Sequence, residues 1–325
     1  IARMGYEVHV FRSPNNHLTK NSNKSSNNSY PSFGLHWHNI IVKNYSNPNS
    51  ISRMISWLQF ELIICTHIFR KVKKPDTIIV SSPSLLSILS GYFLKVIYNS
   101  RLIFEVRDIW PLTLSDDASY SKHNPLIVLL GLIEKFGYKI ADHIIGTMPK
   151  LDRHIKEKYN YSNTPVSTIP MGICLEEEKN NKSIDINYIE KYFPKNKFIV
   201  GYLGTIGKTN ALETLFESAK QLNAYKHIHF VLIGEGALKS KFISMYDYLD
   251  NITFAPSIQK NYVNDVLNYV DLAYFSTYPS KLWEYGLSLN KVVDYMNSGT
   301  LILASYSGYQ TMINESGCGY FVEAG

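Results

Sequence analysis

Short apolar runs ending in glycine alternate with amphipathic stretches along the chain. In the second half, FIVGYLG (198–204) is such a run. After GTIGKTN comes ALETLFESAKQL, where Leu212, Leu215, Phe216, Ala219 and Leu222 recur at helical spacing. The strand HFVLIG (229–234) follows, then a polar helix from about Ala237. Next come the strand NITFAPS, the helix NDVLNYV, the strand DLAYFST, the helix VVDYMNSG and the strand TLILAS. Strands that are apolar throughout, rather than alternating, belong to a parallel sheet covered on both faces. In the first half, EVHVF, TIIVSS and RLIFEV read as strands, SLLSILSGYFLKVIY and PLIVLLGLIEKFGYKIA as helices, with HIIGTM and VSTIP closing the pattern. The expectation is an α/β chain of two Rossmann-like domains, residues 1–170 and 171–325, facing across a cleft. The charged, Asn-rich EEEKNNKSIDIN separates the two patterns. IARMGYEVHVF reads as the end of a helix, a turn at Gly5 and a strand, so a preceding strand is expected outside this sequence, as is a helix after GYFVEAG.

Length and composition narrow this picture. At 325 residues with 45% apolar content, two globular cores are affordable and a disordered or fibrous chain is excluded. Cys65, Cys174 and Cys318 are odd in number and lack CxxC spacing, which points to a reducing cytoplasm and away from disulfides or a zinc site. Residues 1–165 hold 20 Lys/Arg against 11 Asp/Glu, whereas residues 166–325 hold 13 against 16. A basic half beside an acidic half suggests different partners. No helix-turn-helix, RNA-binding aromatic motif or zinc finger accompanies the basic half, so nucleic acid is not expected; an anionic membrane or a lipid-linked phosphate fits. The longest uninterrupted apolar runs are about eight residues, short of the roughly 20 that span a bilayer. Residues 54–74, MISWLQFELIICTHIF running into Arg70, Lys71, Lys73 and Lys74, read either as an interfacial helix with a basic end or as a buried crossover helix. NSNKSSNNS (21–29) reads as a polar low-complexity loop.

Three segments carry candidate chemistry. GTIGKTN places Gly204, Thr205, Gly207 and Lys208 between a strand and a helix, where backbone amides and the helix N-terminus meet phosphate. GEG places Gly234 and Glu235 at the next strand end, followed by Lys239. Both loops fall at the carboxyl edge of one sheet, where such folds bind ligands. YGLSLNKVVDYMNSG brings Gly286, Ser288, Asn290, the cation Lys291 and the carboxylate Asp294 into a helix start. Asp294 suits a ribose diol and Lys291 a diphosphate; without an Asp-x-Asp motif, lysines rather than a metal are expected to neutralise it. In the first half, Arg107 and Asp108 end a strand and are expected to be catalytic with Lys291, orienting an acceptor or a sugar hydroxyl. Trp110 reads either as a sugar-stacking ring or as core packing.

FEVRDIWP (104–111) and SLNKVVDYM (288–296), with IIVSSPSLLS, ADHIIGTMP and VSTIPMGI in the same order, make the chain resemble the family-4 retaining glycosyltransferases of the GT-B fold. The similarity is greatest to the bacterial surface-polysaccharide branch, and it runs along nearly the whole chain. The resemblance implies a UDP-sugar donor held by the C-terminal domain, a lipid-linked or cell-surface oligosaccharide acceptor at the N-terminal one, and no metal cofactor. It places Asp294 on the ribose. The chain departs from the pattern where the family's first acidic residue, eight positions earlier, is Gly286, and where a basic pair is replaced by Thr205 and Asn210. Lys208, Lys239 and Lys291 are the expected substitutes. Met171 replaces the usual Asn in IPMGI. The expected activity is sugar transfer with retention, by a cytoplasmic protein peripheral on the inner membrane face. A UDP-sugar 2-epimerase of the same architecture and a catalytically weak transferase-like subunit are the alternatives.

Overall fold

The computed structural model describes residues 1–13, 34–43, 51–72, 74–82, 84–117, 121, 123–160, 163–174 and 182–325. The polar loop at 21–29, most of the EEEKNNK stretch, and the side chains of Arg70, Lys71 and Lys73 lie outside the described residues. The chain divides into two compact units: Ile1–Pro111, Tyr120–Gly146 and Ile155–Ser167 form the first, and Leu112–Ser119, Thr147–His154 and Thr168–Gly325 the second. Two short segments of the N-terminal half thus group with the second unit.

The first unit opens with β1 (Val8–Arg12), paired in parallel with β2 (Leu35–Asn39) as a separate two-stranded sheet. The long helix α1 (Ile51–Lys71) leads to β3 (Thr77–Ser81), α2 (Ser87–Tyr98), β4 (Arg101–Val106), α3 (Leu112–Asp117, grouped with the second unit), α4 (Pro125–Ile140), β5 (His143–Gly146), α5 (Leu151–Tyr159) and β6 (Val166–Thr168). Strands β3-β4-β5-β6 form a four-stranded sheet in sequence order. Asn124 caps α4 by accepting the Leu126 N–H at 2.9 Å, and Pro125 fills the first helical position, where no N–H is needed. Phe104 of β4 and Tyr138 of α4, ring centroids 5.6 Å apart, centre the core. Buried Glu134 accepts from Tyr138 Oη at 2.9 Å and Lys158 Nζ at 3.2 Å and also binds the Tyr159 hydroxyl, which satisfies its charge inside the fold. The strands here are less covered than the sequence predicts: β1 and β2 are half-buried throughout, and β3 is largely exposed. The reason is topological: among the described residues β3 pairs only with β4, at the edge of its sheet.

The second unit holds α6 (Ile186–Tyr192), β7 (Phe198–Leu203), α7 (Glu213–Gln221), β8 (Ile228–Ile233), α8 (Lys239–Tyr246), β9 (Ile252–Ala255), α9 (Val263–Leu267), β10 (Leu272–Ser276), α10 (Asn290–Asn297), β11 (Leu301–Ser305), α11 (Met312–Ser316) and β12 (Gly319–Val322). Its six-stranded parallel sheet runs β12-β11-β10-β7-β8-β9. Numbered within the unit, this is the doubly wound order three-two-one-four-five-six, which reverses direction between β7 and β10. β7 and β8 are buried on both faces, as their continuous apolar sequences require. Phe216 stacks on Tyr246 at 4.6 Å and meets Phe242 at 4.5 Å, fastening α7 and α8 to one face of the sheet.

Candidate functional site

The reversal of strand order opens the sheet at the carboxyl ends of β7, β8 and β10, and three loops converge there. The loop after β7 and the loop after β8 are hydrogen-bonded to each other: Ile206 N–H donates to Glu235 O at 2.9 Å and Leu238 N–H to Ile206 O at 3.1 Å. Their backbones are so close that only glycine fits. A Cβ on Gly234, whose φ is +154°, would lie 1.9 Å from the Gly204 carbonyl oxygen.

The third contributor is α10. Tyr295 is fully buried, and its hydroxyl accepts the Leu203 N–H at 3.0 Å, which ties the helix to the end of β7. One turn earlier, this anchoring aims Lys291 into the β7 loop. Its Nζ donates to Asn210 Oδ1 at 2.8 Å and to Tyr202 Oη at 3.2 Å, and lies 4.6 Å from the centroid of the Tyr202 ring. Asn210 is itself held: its carbonyl accepts from Ser276 Oγ at 2.7 Å and its side-chain amide donates to Thr205 O at 3.0 Å. All these partners of the ammonium are neutral. Burial accordingly lowers the Lys291 pKa to about 8.

The other predicted residues sort by their partners. Lys239 Nζ donates to Gly234 O (2.8 Å), Glu235 Oε1 (2.8 Å) and Ala255 O (3.1 Å), so its charge is spent pinning the β8 loop. That bond holds the Glu235 carboxyl below its usual range. Lys208 is exposed, in a one-turn 3-10 helix beside Gly207. Asp294, 18% exposed, is ion-paired with Lys260, a residue that sequence reasoning missed because it comes from a loop 34 positions away. Ser288 and Asn290 lie at the start of α10. Gly286 has φ +113°, and a Cβ there would sit 2.4 Å from Pro149 Cδ, so this position has no room for an acidic side chain.

Arg107 and Asp108 follow β4 in the first unit. Ser82 Oγ accepts the Arg107 N–H at 2.9 Å and the Asp108 N–H at 3.4 Å, which orders the turn. Desolvation raises the Asp108 pKa, and the neighbouring Arg107 charge opposes the shift. Trp110 meets Trp57 of α1 edge to face at 6.1 Å, a packing role for at least one edge of its ring. The sequence reading also did not anticipate the His9 cluster. Glu7, just before β1, approaches His9 of β1 and His36 of β2, but the two imidazoles stack within 17° of parallel. Their lone pairs therefore run side by side instead of converging, as a metal requires, and a hydrogen bond from His9 to Glu7 at 3.1 Å accounts for the contact.

Among the described residues, no helix is long and apolar enough to cross a membrane. Residues 1–177 match the model of Glycosyltransferase Family 4. No curated protein gives a significant sequence match. Among solved structures, sucrose-phosphate synthase from Thermosynechococcus elongatus is similar at TM-score 0.72 and 15% identity, over 99% of this chain and 77% of that one. WaaG, a glycosyltransferase involved in lipopolysaccharide biosynthesis, is similar at TM-score 0.61 and 12% identity, over 99% and 79%. HepE from Anabaena, solved in complex with UDP and glucose, is similar at TM-score 0.60 and 11% identity, over 90% and 74%. These likenesses identify the fold as GT-B.

Proposed function

The chain belongs to glycosyltransferase family 4, and on that premise we propose that it moves a sugar from a UDP-sugar, with retention, to a lipid-linked oligosaccharide in bacterial surface-polysaccharide assembly. The observation that carries the donor half of this reading is Lys291. A desolvated ammonium whose bonds go to neutral groups is unfavourable by itself and becomes favourable when an anion arrives. It stands beside a glycine-built loop at the carboxyl edge of the sheet, the setting in which α/β folds take phosphate.

In the proposed arrangement the Gly204–Gly207 backbone, Lys291 and the exposed Lys208 hold the donor diphosphate. As the bond to the anomeric carbon breaks, negative charge grows on the departing diphosphate, and preorganised cations stabilise that change most. Asp294 accepts the ribose hydroxyls and exchanges its bond to Lys260 for them. Lys239 and Glu235 keep the β8 loop in shape. Arg107 and Asp108 serve the acceptor: an aspartate whose carboxyl is already raised can accept a proton or hold a hydroxyl in place. No metal has an assigned role, because lysines supply the positive charge. The UDP and glucose bound to HepE and the lipopolysaccharide role of WaaG support the donor and the pathway class.

The test is UDP release from a panel of UDP-sugars with and without lipid-linked acceptors, with the product's anomeric configuration read by NMR. Acceptor-dependent release with a retained anomer supports the proposal. Conversion of a UDP-sugar to its C2 epimer without any acceptor indicates 2-epimerase chemistry instead, and UDP-sugar binding with neither outcome across the panel indicates a non-catalytic subunit.

A further inference from the structure

The amino edge of the six-stranded sheet carries a second opening, at the end opposite the loops that gather after β7 and β8. Helix α6, the residues 193–197 that follow it, and the end of α9 enclose a groove of about 400 Å³ where β7 and β10 begin. That volume is in the range of small-molecule sites. At about 3.3 Å per residue, β7 separates Ile199 in the groove from Gly204 by roughly 17 Å, so the proposed donor diphosphate lies elsewhere. The floor is apolar: Ile189, Phe193 and Ile199 are buried. Beside them Tyr269 is 40% exposed, its ring 6.1 Å from that of Phe193 and inclined to it by 55°.

The charges around this floor balance. Two carboxylates, Glu190 and Asp271, and two ammoniums, Lys195 and Lys197, line the groove. Glu190 pairs with Lys195 at 3.6 Å, and Lys197 donates to the Lys226 carbonyl. An anion such as phosphate therefore meets no net positive field here. Nor does the groove suit an extended peptide, because β7 lies between β10 and β8 and leaves no strand edge to pair with. What remains is hydrogen-bonding capacity with no net charge. Asp271 spends Oδ2 on the Ile199 N–H at 2.7 Å. Its Oδ1, the Asn268 side-chain amide and the Tyr269 hydroxyl have no hydrogen-bond partner among the described residues. A carboxylate accepts, and an amide both donates and accepts. Beside an aromatic ring, these groups match a ligand with an apolar face and a girdle of hydroxyls. A pyranose ring has both.

We propose that this groove is a second carbohydrate site, which holds a neutral oligosaccharide by stacking one sugar ring on Tyr269 and bonding its hydroxyls to Asn268 and Asp271. The site performs no chemistry; it tethers a glycan chain to the unit that carries the proposed donor loops. The choice of ligand rests on the proposed transfer to an oligosaccharide as well as on the groove, but binding is measured without donor or turnover, so either can fail alone.

The test is saturation-transfer NMR of the full chain with maltopentaose, cellopentaose, chitopentaose and mannopentaose at millimolar concentration. At least one is expected to receive saturation, with an affinity that is the same at low and high salt and in the presence of inorganic phosphate. Tyr269→Ala with Asn268→Ala should weaken it about tenfold through the loss of one stacked ring and its polar neighbour. Thermal melts and UDP binding should stay at wild-type values in that variant, because both side chains are exposed. Saturation of none of these sugars would overturn the proposal, as would a double variant that binds them like wild type. Displacement of the sugar by inorganic phosphate would overturn it in favour of an anion site, and displacement by UDP would move the glycan to the donor end of the sheet.

Discussion

Replacing Lys291 by methionine separates what the buried ammonium does for folding from what it does for the donor. Methionine keeps the side chain's length and apolar stem and removes only the charge. Burial moves the lysine from 10.5 to about 8, and at 1.36 kcal/mol per pKa unit the charged form is disfavoured by about 3 kcal/mol. Losing the hydrogen bonds to Asn210 and Tyr202 returns part of this, at about 1 kcal/mol. Lys291→Met should therefore be about 1–2 kcal/mol more stable than wild type at pH 7. The sign with pH follows from linkage. Between about 8 and 10.5 the unfolded chain binds more protons than the native one, so wild-type stability rises with pH across that window and the gap to the variant closes. Function should move the other way: UDP-sugar affinity falls at least tenfold in the variant, and in wild type weakens as pH passes 8. Urea unfolding at pH 7, 8 and 10 with calorimetric titration of UDP measures both. A variant that is less stable at pH 7 and binds UDP like wild type would refute the reasoning outright.

Three further outcomes rest on other contacts. Gly286→Glu, which restores the family's acidic residue, should destabilise by about 2–4 kcal/mol in thermal melts without improving turnover, since the new Cβ meets Pro149 in a backbone conformation favouring glycine. Lys260→Ala should leave stability within about 0.5 kcal/mol, because Lys260 is 72% exposed, while changing KM for the donor more than kcat by releasing Asp294. Glu61→Gln should be at least as stable as wild type at pH 7: burial raises the Glu61 carboxyl above 4.5, so its neutral form stabilises the native state below that pH and this contribution is lost as pH rises through the raised value. Urea midpoints between pH 4 and 7 should then slope less in the glutamine variant.

The alternation of apolar runs and amphipathic stretches was enough to place the sheet of the second unit, because strands buried on both faces must be apolar at every position, and FIVGYL and HFVLI satisfy that locally. The glycine loops after β7 and β8 were legible for the same reason: glycine at a strand end is a local backbone signal. The strand LHWHN escaped notice because β2 is half-buried on both sides and carries no apolar run.

The fate of each charge was not a local matter. Lys239 and Lys291 look equivalent in sequence, each near a glycine loop, yet one is ion-paired with Glu235 and bonded to two carbonyls while the other faces neutral groups in a desolvated niche. Asp294 acquires Lys260 from a loop 34 residues away, a distance in sequence that no spacing rule covers. Helices α2 and α4 carry apolar residues on more than one side, and periodicity cannot say which of those sides meets the core. Only packing against β3, β4 and each other assigns one stripe inward and leaves the other, with Lys135 and Lys139, to the outside. Sequence determined which segments become strands and helices, since that depends on neighbours along the chain. Tertiary structure decided which charges are solvated and which apolar faces stay open, since burial depends on what arrives from elsewhere.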